Sequence, residues 1–148
     1  MTTMNATLEK FGYPGSLIKQ YARWILLLRP QQVTLGSLVL VCLEEAKAFS
    51  ALSTDSFIEL SQVVREVETN LSQALSYEKI NYLMLMMVDP DVHFHIIPRY
   101  STPQEFHTQQ FFDHGWPGPP NLKMGNETSR ATQHELLGFL KTTWTSLS

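Results

Sequence analysis

Eight consecutive residues, Asp91-Val92-His93-Phe94-His95-Ile96-Ile97-Pro98, constrain the fold more than any other stretch of the chain. Apolar and polar side chains alternate there with a period of two, the pattern of a β-strand. Asp91, His93, His95 and Ile97 then share one face, and Val92, Phe94 and Ile96 the other. One face asks for an apolar layer, while the other carries a row of imidazoles. A covering helix is legible further upstream. Ser53 or Thr54 can cap it, and Phe57, Leu60, Val64, Val67, Leu71 and Ala74 recur at spacings of three and four. That stripe faces a core and leaves Glu59, Arg65, Glu66, Glu68 and Asn70 mainly for solvent.

The remaining elements fit around this pair. The first sixteen residues are polar and end in the turn signal Tyr13-Pro14-Gly15-Ser16. Leu17 to Tyr21 and Trp24 to Leu28 read as extended, the second stopping at Arg29-Pro30, and Leu35 to Cys42 is rich in β-formers. Glu44 to Phe49 fits a short helix. Ile80 to Met87 is apolar on nearly every residue, as in a strand covered on both faces by a helix layer or a partner subunit. Residues 101–130 are irregular and rich in proline and aromatics. A capping box at Thr132-Gln133-His134-Glu135 then opens a helix with the stripe Leu136, Leu140, Trp144 and Leu147. The sum is α+β: an antiparallel sheet with one long helix and one C-terminal helix. Residues 1–100 hold the main sheet and the long helix, and the arm and helix of 101–148 complete the same domain.

Composition narrows the partners. The chain has 148 residues, 43% of them hydrophobic and 17% charged, so one globular core is expected. A net charge of -3 with scattered acids argues against a nucleic-acid partner, because phosphate backbones select clustered Lys and Arg. The single cysteine, Cys42, sits among apolar neighbours and reads as a buried thiol rather than a reactive one. The lack of disulfides, of a leader at Met1 to Lys10 and of any apolar run long enough for a bilayer points to the cytoplasm.

From spacing alone, His93 and His95 admit three readings. They can be ordinary surface residues of a sheet. They can be two ligands of a metal, with Asp91, His107 or His114 to complete the set, although nothing in the spacing places those three together. Or they can serve a phosphate-directed catalytic site.

The stretch Val92-His93-Phe94-His95-Ile96-Ile97-Pro98-Arg99, preceded by Asp91, resembles the signature of histidine-triad proteins. The order of elements over roughly residues 10–100 is most similar to the fragile-histidine-triad branch of nucleotide hydrolases. The resemblance implies a five-stranded antiparallel sheet, extended across a homodimer. It implies that His93 attacks the α-phosphorus of a nucleotide and forms a nucleotidyl-histidine, and that His95 contacts the phosphate oxygens. Neutral imidazole is a good nucleophile near pH 7, which suits the chemistry.

The triad is degenerate. Its first histidine is Asp91 here, an orienting group or a plain turn residue. A further histidine common in relatives falls on Ser37, and the position that holds the ribose falls on Arg29; both remain candidates for phosphate or nucleotide binding. The loop before the triad is shortened to Val88-Asp89-Pro90. Phe111 to Pro117 reads as ordinary packing of an arm or as an aromatic flap over a base. The leading expectation is a hydrolase or transferase acting on a nucleoside phosphoanhydride, phosphoramidate or phosphosulfate. It needs no resident cofactor or metal, magnesium entering only with a polyphosphate substrate. The alternatives are a nucleotide-binding protein with little turnover and a metal-dependent hydrolase.

Overall fold

The computed structural model describes residues 5–147, with side chains through Trp144. Helix α1 (Ala6–Lys10) precedes strands β1 (Leu17–Gln20), β2 (Trp24–Leu28) and β3 (Leu38–Cys42), and the long helix α2 (Thr54–Ala74) follows. Next come β4 (Lys79–Leu83), β5 (His93–Arg99), a small hairpin of β6 (Gln104–Phe106) and β7 (Gln109–Phe111), and α3 (Arg130–Leu147). The main sheet has five antiparallel strands in the order β1-β2-β3-β5-β4. It is the α+β architecture expected.

The strands buried on every residue are β2 and β3, whose sequences WILLL and LVLVC contain no charged or strongly polar member. Such runs need cover on both faces. On one face Leu26, Leu28, Leu38, Leu40, Val92 and Ile96 meet Val63, Val67 and Leu71 of α2 and Leu136, Leu140 and Trp144 of α3. On the other, Ile25, Leu27, Val39 and Val41 meet Leu8 and Phe11 at the N-terminus.

Besides the β6–β7 hairpin inside the stretch 101–130 read as irregular, expectation and structure part at five places. The N-terminal stretch holds a helix, capped by the Asn5 side chain, which accepts from the Leu8 N–H. No helix spans Glu44 to Phe49. The Glu44 carboxylate instead accepts from the backbone N–H and hydroxyl of Ser53 and from the Ser56 hydroxyl, tying the chain into the start of α2. Within α2 the buried side is Ser56, Val63, Val67, Asn70 and Leu71, so the stripe lies rotated from the one read, leaving Phe57 exposed and Asn70 inside. Three of the glutamates assigned to solvent turn to the sheet. Glu59 takes the Arg23 N–H, Glu66 the Tyr21 hydroxyl and Glu68 the Tyr82 hydroxyl.

The other two lie later in the chain. β4 ends at Leu83 and, within one chain, is a half-buried edge strand that no helix layer covers on both faces. Met86, at φ +50°, turns the chain away, and Leu85, Met87 and Val88 stand exposed beyond it. Helix α3 starts two residues before Thr132, with the Ser129 hydroxyl accepting the Thr132 N–H. Leu136, Leu140 and Trp144 are buried as read, while the Leu147 side chain lies outside those described. Among the described residues no helix is long and apolar enough to cross a membrane.

Candidate active site

Antiparallel pairing on both edges fixes β5 in the sheet. His93 stands opposite Val41 and His95 opposite Val39 on one side, and Leu83 stands opposite His95 on the other. The alternation therefore works as read: Phe94 and Ile96 join the helix-covered core, and the imidazoles occupy the opposite face. The two rings are buried, their centroids 5.1 Å apart and their planes at 80°. Phe11, just after α1, lies over both, 6.3 Å from the His93 ring and edge-on to the His95 ring at 5.6 Å. A pocket of about 180 Å³ opens between them, lined by Lys10, Phe11, Arg29, His93, His95 and the loop from Leu85 to Asp89.

Hydrogen-bond partners assign the tautomers. His93 Nδ1 is 2.6 Å from the Asp91 carbonyl oxygen, which can only accept, so Nδ1 carries the proton. In the neutral ring, Nε2 of His93 then keeps its lone pair. The guanidinium of Arg29 can only donate, and its Nε lies 3.4 Å from His95 Nδ1. His95 therefore carries its proton on Nε2. Burial, then the neighbouring Arg29 and His93, push the His95 pKa down to about 4, so this ring is neutral at pH 7. The pair thus offers one nitrogen lone pair and one N–H donor, with opposite roles at the same pocket.

Arg29 follows directly on β2 and is 8% exposed. Its Nη1 donates to the carbonyl and side-chain oxygens of Gln31, both neutral acceptors. Among the described residues no carboxylate lies within 4 Å of it. Burial lowers its pKa without any compensating acid. A buried cation without a counter-ion is costly, and an anion entering the pocket would relieve that cost.

Two sequence candidates stand elsewhere. Ser37 does not line the pocket. Its hydroxyl donates to the Thr34 carbonyl and accepts the Thr34 N–H, closing the turn before β3, so its burial serves the turn. The Asp91 carboxylate also turns away, accepting from the Thr7 hydroxyl at 3.0 Å and from the Lys47 ammonium at 2.6 Å. Burial raises the Asp91 pKa, but these two partners outweigh it and the net shift is downward. Asp91 touches the imidazole through its main chain. The aromatic stretch from Phe111 to Pro117 lines no part of the histidine pocket. Phe111 belongs to the core, and Asp113 forms a buried two-pronged ion pair with Arg99, at 2.7 and 3.0 Å. Among the described residues no group of three or more His, Cys, Asp or Glu side chains is arranged to hold a metal ion.

Sequence reasoning missed Phe11, Lys10 and the Leu85–Asp89 loop. A five-residue helix is too short to show a period, and only the spacing of Leu8 and Phe11 hinted at an apolar side.

No family model and no curated relative matches the sequence. Solved structures do match the fold. A histidine triad protein from Sinorhizobium meliloti 1021 superposes with a TM-score of 0.76 at 20% identity, covering 97% of each chain. A histidine triad protein from Marinobacter aquaeolei VT8 gives 0.75 at 17% identity, covering 100% of this chain and 99% of its own. The diadenosine triphosphate hydrolase of Plasmodium falciparum gives 0.66 at 12% identity, covering 90% of this chain and 78% of its own.

Proposed function

We propose that this chain, which has the fold of the histidine triad proteins, is a nucleotide hydrolase or transferase with His93 as its nucleophile. The observation that carries the reading is the opposed tautomer pair. Nε2 of His93 attacks the α-phosphorus of a nucleoside phosphoanhydride, phosphoramidate or phosphosulfate. The bond from phosphorus to the leaving group breaks, and that group departs with the electron pair. The nucleotidyl-imidazolium that forms keeps its Nδ1–H on the Asp91 carbonyl, which stabilises the new charge. His95 Nε2–H and the Arg29 guanidinium face the charge that builds on the non-bridging oxygens. Water or an acceptor alcohol then attacks phosphorus and gives up its proton to solvent, the N–P bond breaks with its electron pair returning to Nε2, and neutral His93 is restored.

A pocket of about 180 Å³ is smaller than most small-molecule sites, which run to about 300–1,000 Å³. Phe11 and the loop from Leu85 to Asp89 form its rim. One observation favours a second reading, binding with little turnover: the Asp91 carboxylate is engaged by Thr7 and Lys47, so no side chain at position 91 is left to protonate a leaving group. A second copy of the chain would continue the sheet at the open edge of β4, which light scattering would detect as a dimer.

The test is to mix wild-type protein and His93→Ala with adenosine and guanosine phosphoramidates, phosphosulfates and dinucleoside polyphosphates, quench, and read intact mass. A gain of one nucleoside monophosphate in wild type, absent in His93→Ala, is expected and would name the nucleotide. Folded protein that binds nucleotide but forms neither adduct nor product across the panel would establish the binding reading instead.

A further inference from the structure

The carbonyl that fixes the His93 tautomer belongs to a peptide outside the sheet ladder. From Met84 to Val92 the chain is irregular, and β5 begins only at His93. β3 reaches the chain one residue on, where the Cys42 N–H donates to the Val92 carbonyl at 3.0 Å, and any further hold on the residue-91 peptide comes through its own side chain. The candidates are the two partners of the Asp91 side chain, and they come from different parts of the fold. Thr7 lies on α1 and is fully buried; Lys47 lies in the connection between β3 and α2 with its side chain 66% exposed. One carboxylate oxygen takes the hydroxyl and the other the ammonium, so the side chain is held from two sides. A carboxylate has two acceptor oxygens for this, whereas a neutral amide has one.

We infer that the Asp91 carboxylate is a positioning group: gripped by Thr7 and Lys47, it locks the residue-91 carbonyl onto His93 Nδ1 and so keeps the Nε2 lone pair free. The inference rests on the reading of His93 as the nucleophile. It gives the altered first triad position a task of its own. An acid at this position does not face the phosphate; it ties the helix above the pocket to the strand that carries the nucleophile. Thr7 and Phe11 stand four residues apart, so the same grip that orients His93 also seats the segment whose Phe11 ring lies over both imidazoles.

The test combines ¹⁵N spectra of the His93 ring with adduct kinetics in Asp91→Ala, Asp91→Asn, Thr7→Val and Lys47→Ala. In wild type the spectrum is expected to show a protonated Nδ1 and an unprotonated Nε2. In Asp91→Ala the two nitrogens move toward an averaged mixture, and adduct formation slows by about tenfold or more, the scale of one lost charged hydrogen bond. Affinity for the nucleoside monophosphate falls by less than the rate of adduct formation, because the Asp91 side chain itself lines no part of the pocket. Asp91→Asn, which retains one acceptor, falls between wild type and alanine. Lys47 is exposed enough that Lys47→Ala folds in any case, and it moves both readouts in the same direction by a smaller step. An Asp91→Ala protein with unchanged ring spectrum and unchanged rate overturns the inference, as does a shift in Lys47→Ala or Thr7→Val opposite to that of Asp91→Ala. If wild type forms no adduct at all, the nucleophile reading fails, and the ring spectra still decide whether Asp91 sets the tautomer.

Discussion

On the helix side of β5, Phe94 and Ile96, with Val92 just before the strand, meet α2 and α3 through many interchangeable apolar contacts. On the other side, His93 and His95 meet a short set of partners: the Asp91 carbonyl, Arg29 and the Phe11 ring. Both faces are buried, yet they are held by different physics. The apolar face gains from area and tolerates substitution in proportion to the volume lost. The polar face depends on single directed hydrogen bonds, each of which fixes a proton on a particular nitrogen. The apolar side chains of Phe94 and Ile96 thus contribute by volume, and the two imidazoles by the direction of single hydrogen bonds.

Substitutions on the two faces should separate these roles. The largest effect belongs to His93→Ala, which removes the proposed nucleophile: turnover is expected to fall by at least about a thousandfold, while denaturant unfolding shows a loss near 1 kcal/mol. Ile96→Ala should do the reverse. Its side chain is fully buried, so unfolding midpoints should report a loss of about 2–5 kcal/mol, with adduct formation per folded molecule nearly unchanged. If both variants lose stability equally and chemistry equally, the division of the strand is wrong. Arg29→Gln comes next. Removing the cation that no carboxylate balances should weaken nucleotide binding by about 1.5–3 kcal/mol in a titration, and raise rather than lower the stability of the empty protein.

A pH dependence follows as well. His95 is pushed from its ordinary 6.5 down to about 4 by burial first and by Arg29 and His93 after it. The unfolded chain then binds this proton more strongly than the folded one, so stability falls as pH drops from about 6.5 toward 4. The slope is at most about 1.4 kcal/mol per pH unit. It should flatten in His95→Gln, and an identical slope in that variant would place the titration elsewhere.

How much of this was legible depended on the range of the cause. The faces of β5, the strand Trp24–Leu28, the Ser53 cap and the stripe Leu136, Leu140 and Trp144 follow from local periodicity, and the structure keeps them. Arg29 was found through a resemblance, and the structure gives it a pocket. What stayed hidden is carried by contacts between distant residues. The Thr7–Asp91 bond spans 84 positions, and the Arg99–Asp113 pair depends on a loop without periodicity. Ser37 and Asp91 were singled out by position in a motif, yet side-chain direction decided their roles: one closes a turn, the other reaches the imidazole only through its carbonyl. Of the stretch Ile80 to Met87, the structure keeps Ile80–Leu83 as strand and makes the rest loop, because apolar content does not distinguish a strand from the exposed loop that rims a pocket.

The most direct measurement is the stereochemical course at phosphorus, using an isotopically chiral α-phosphorothioate of whichever nucleotide the adduct panel identifies. Attack by His93 followed by attack of water gives two inversions, so the account predicts net retention of configuration. Net inversion would mean that water strikes phosphorus directly, and His93 would not be the nucleophile.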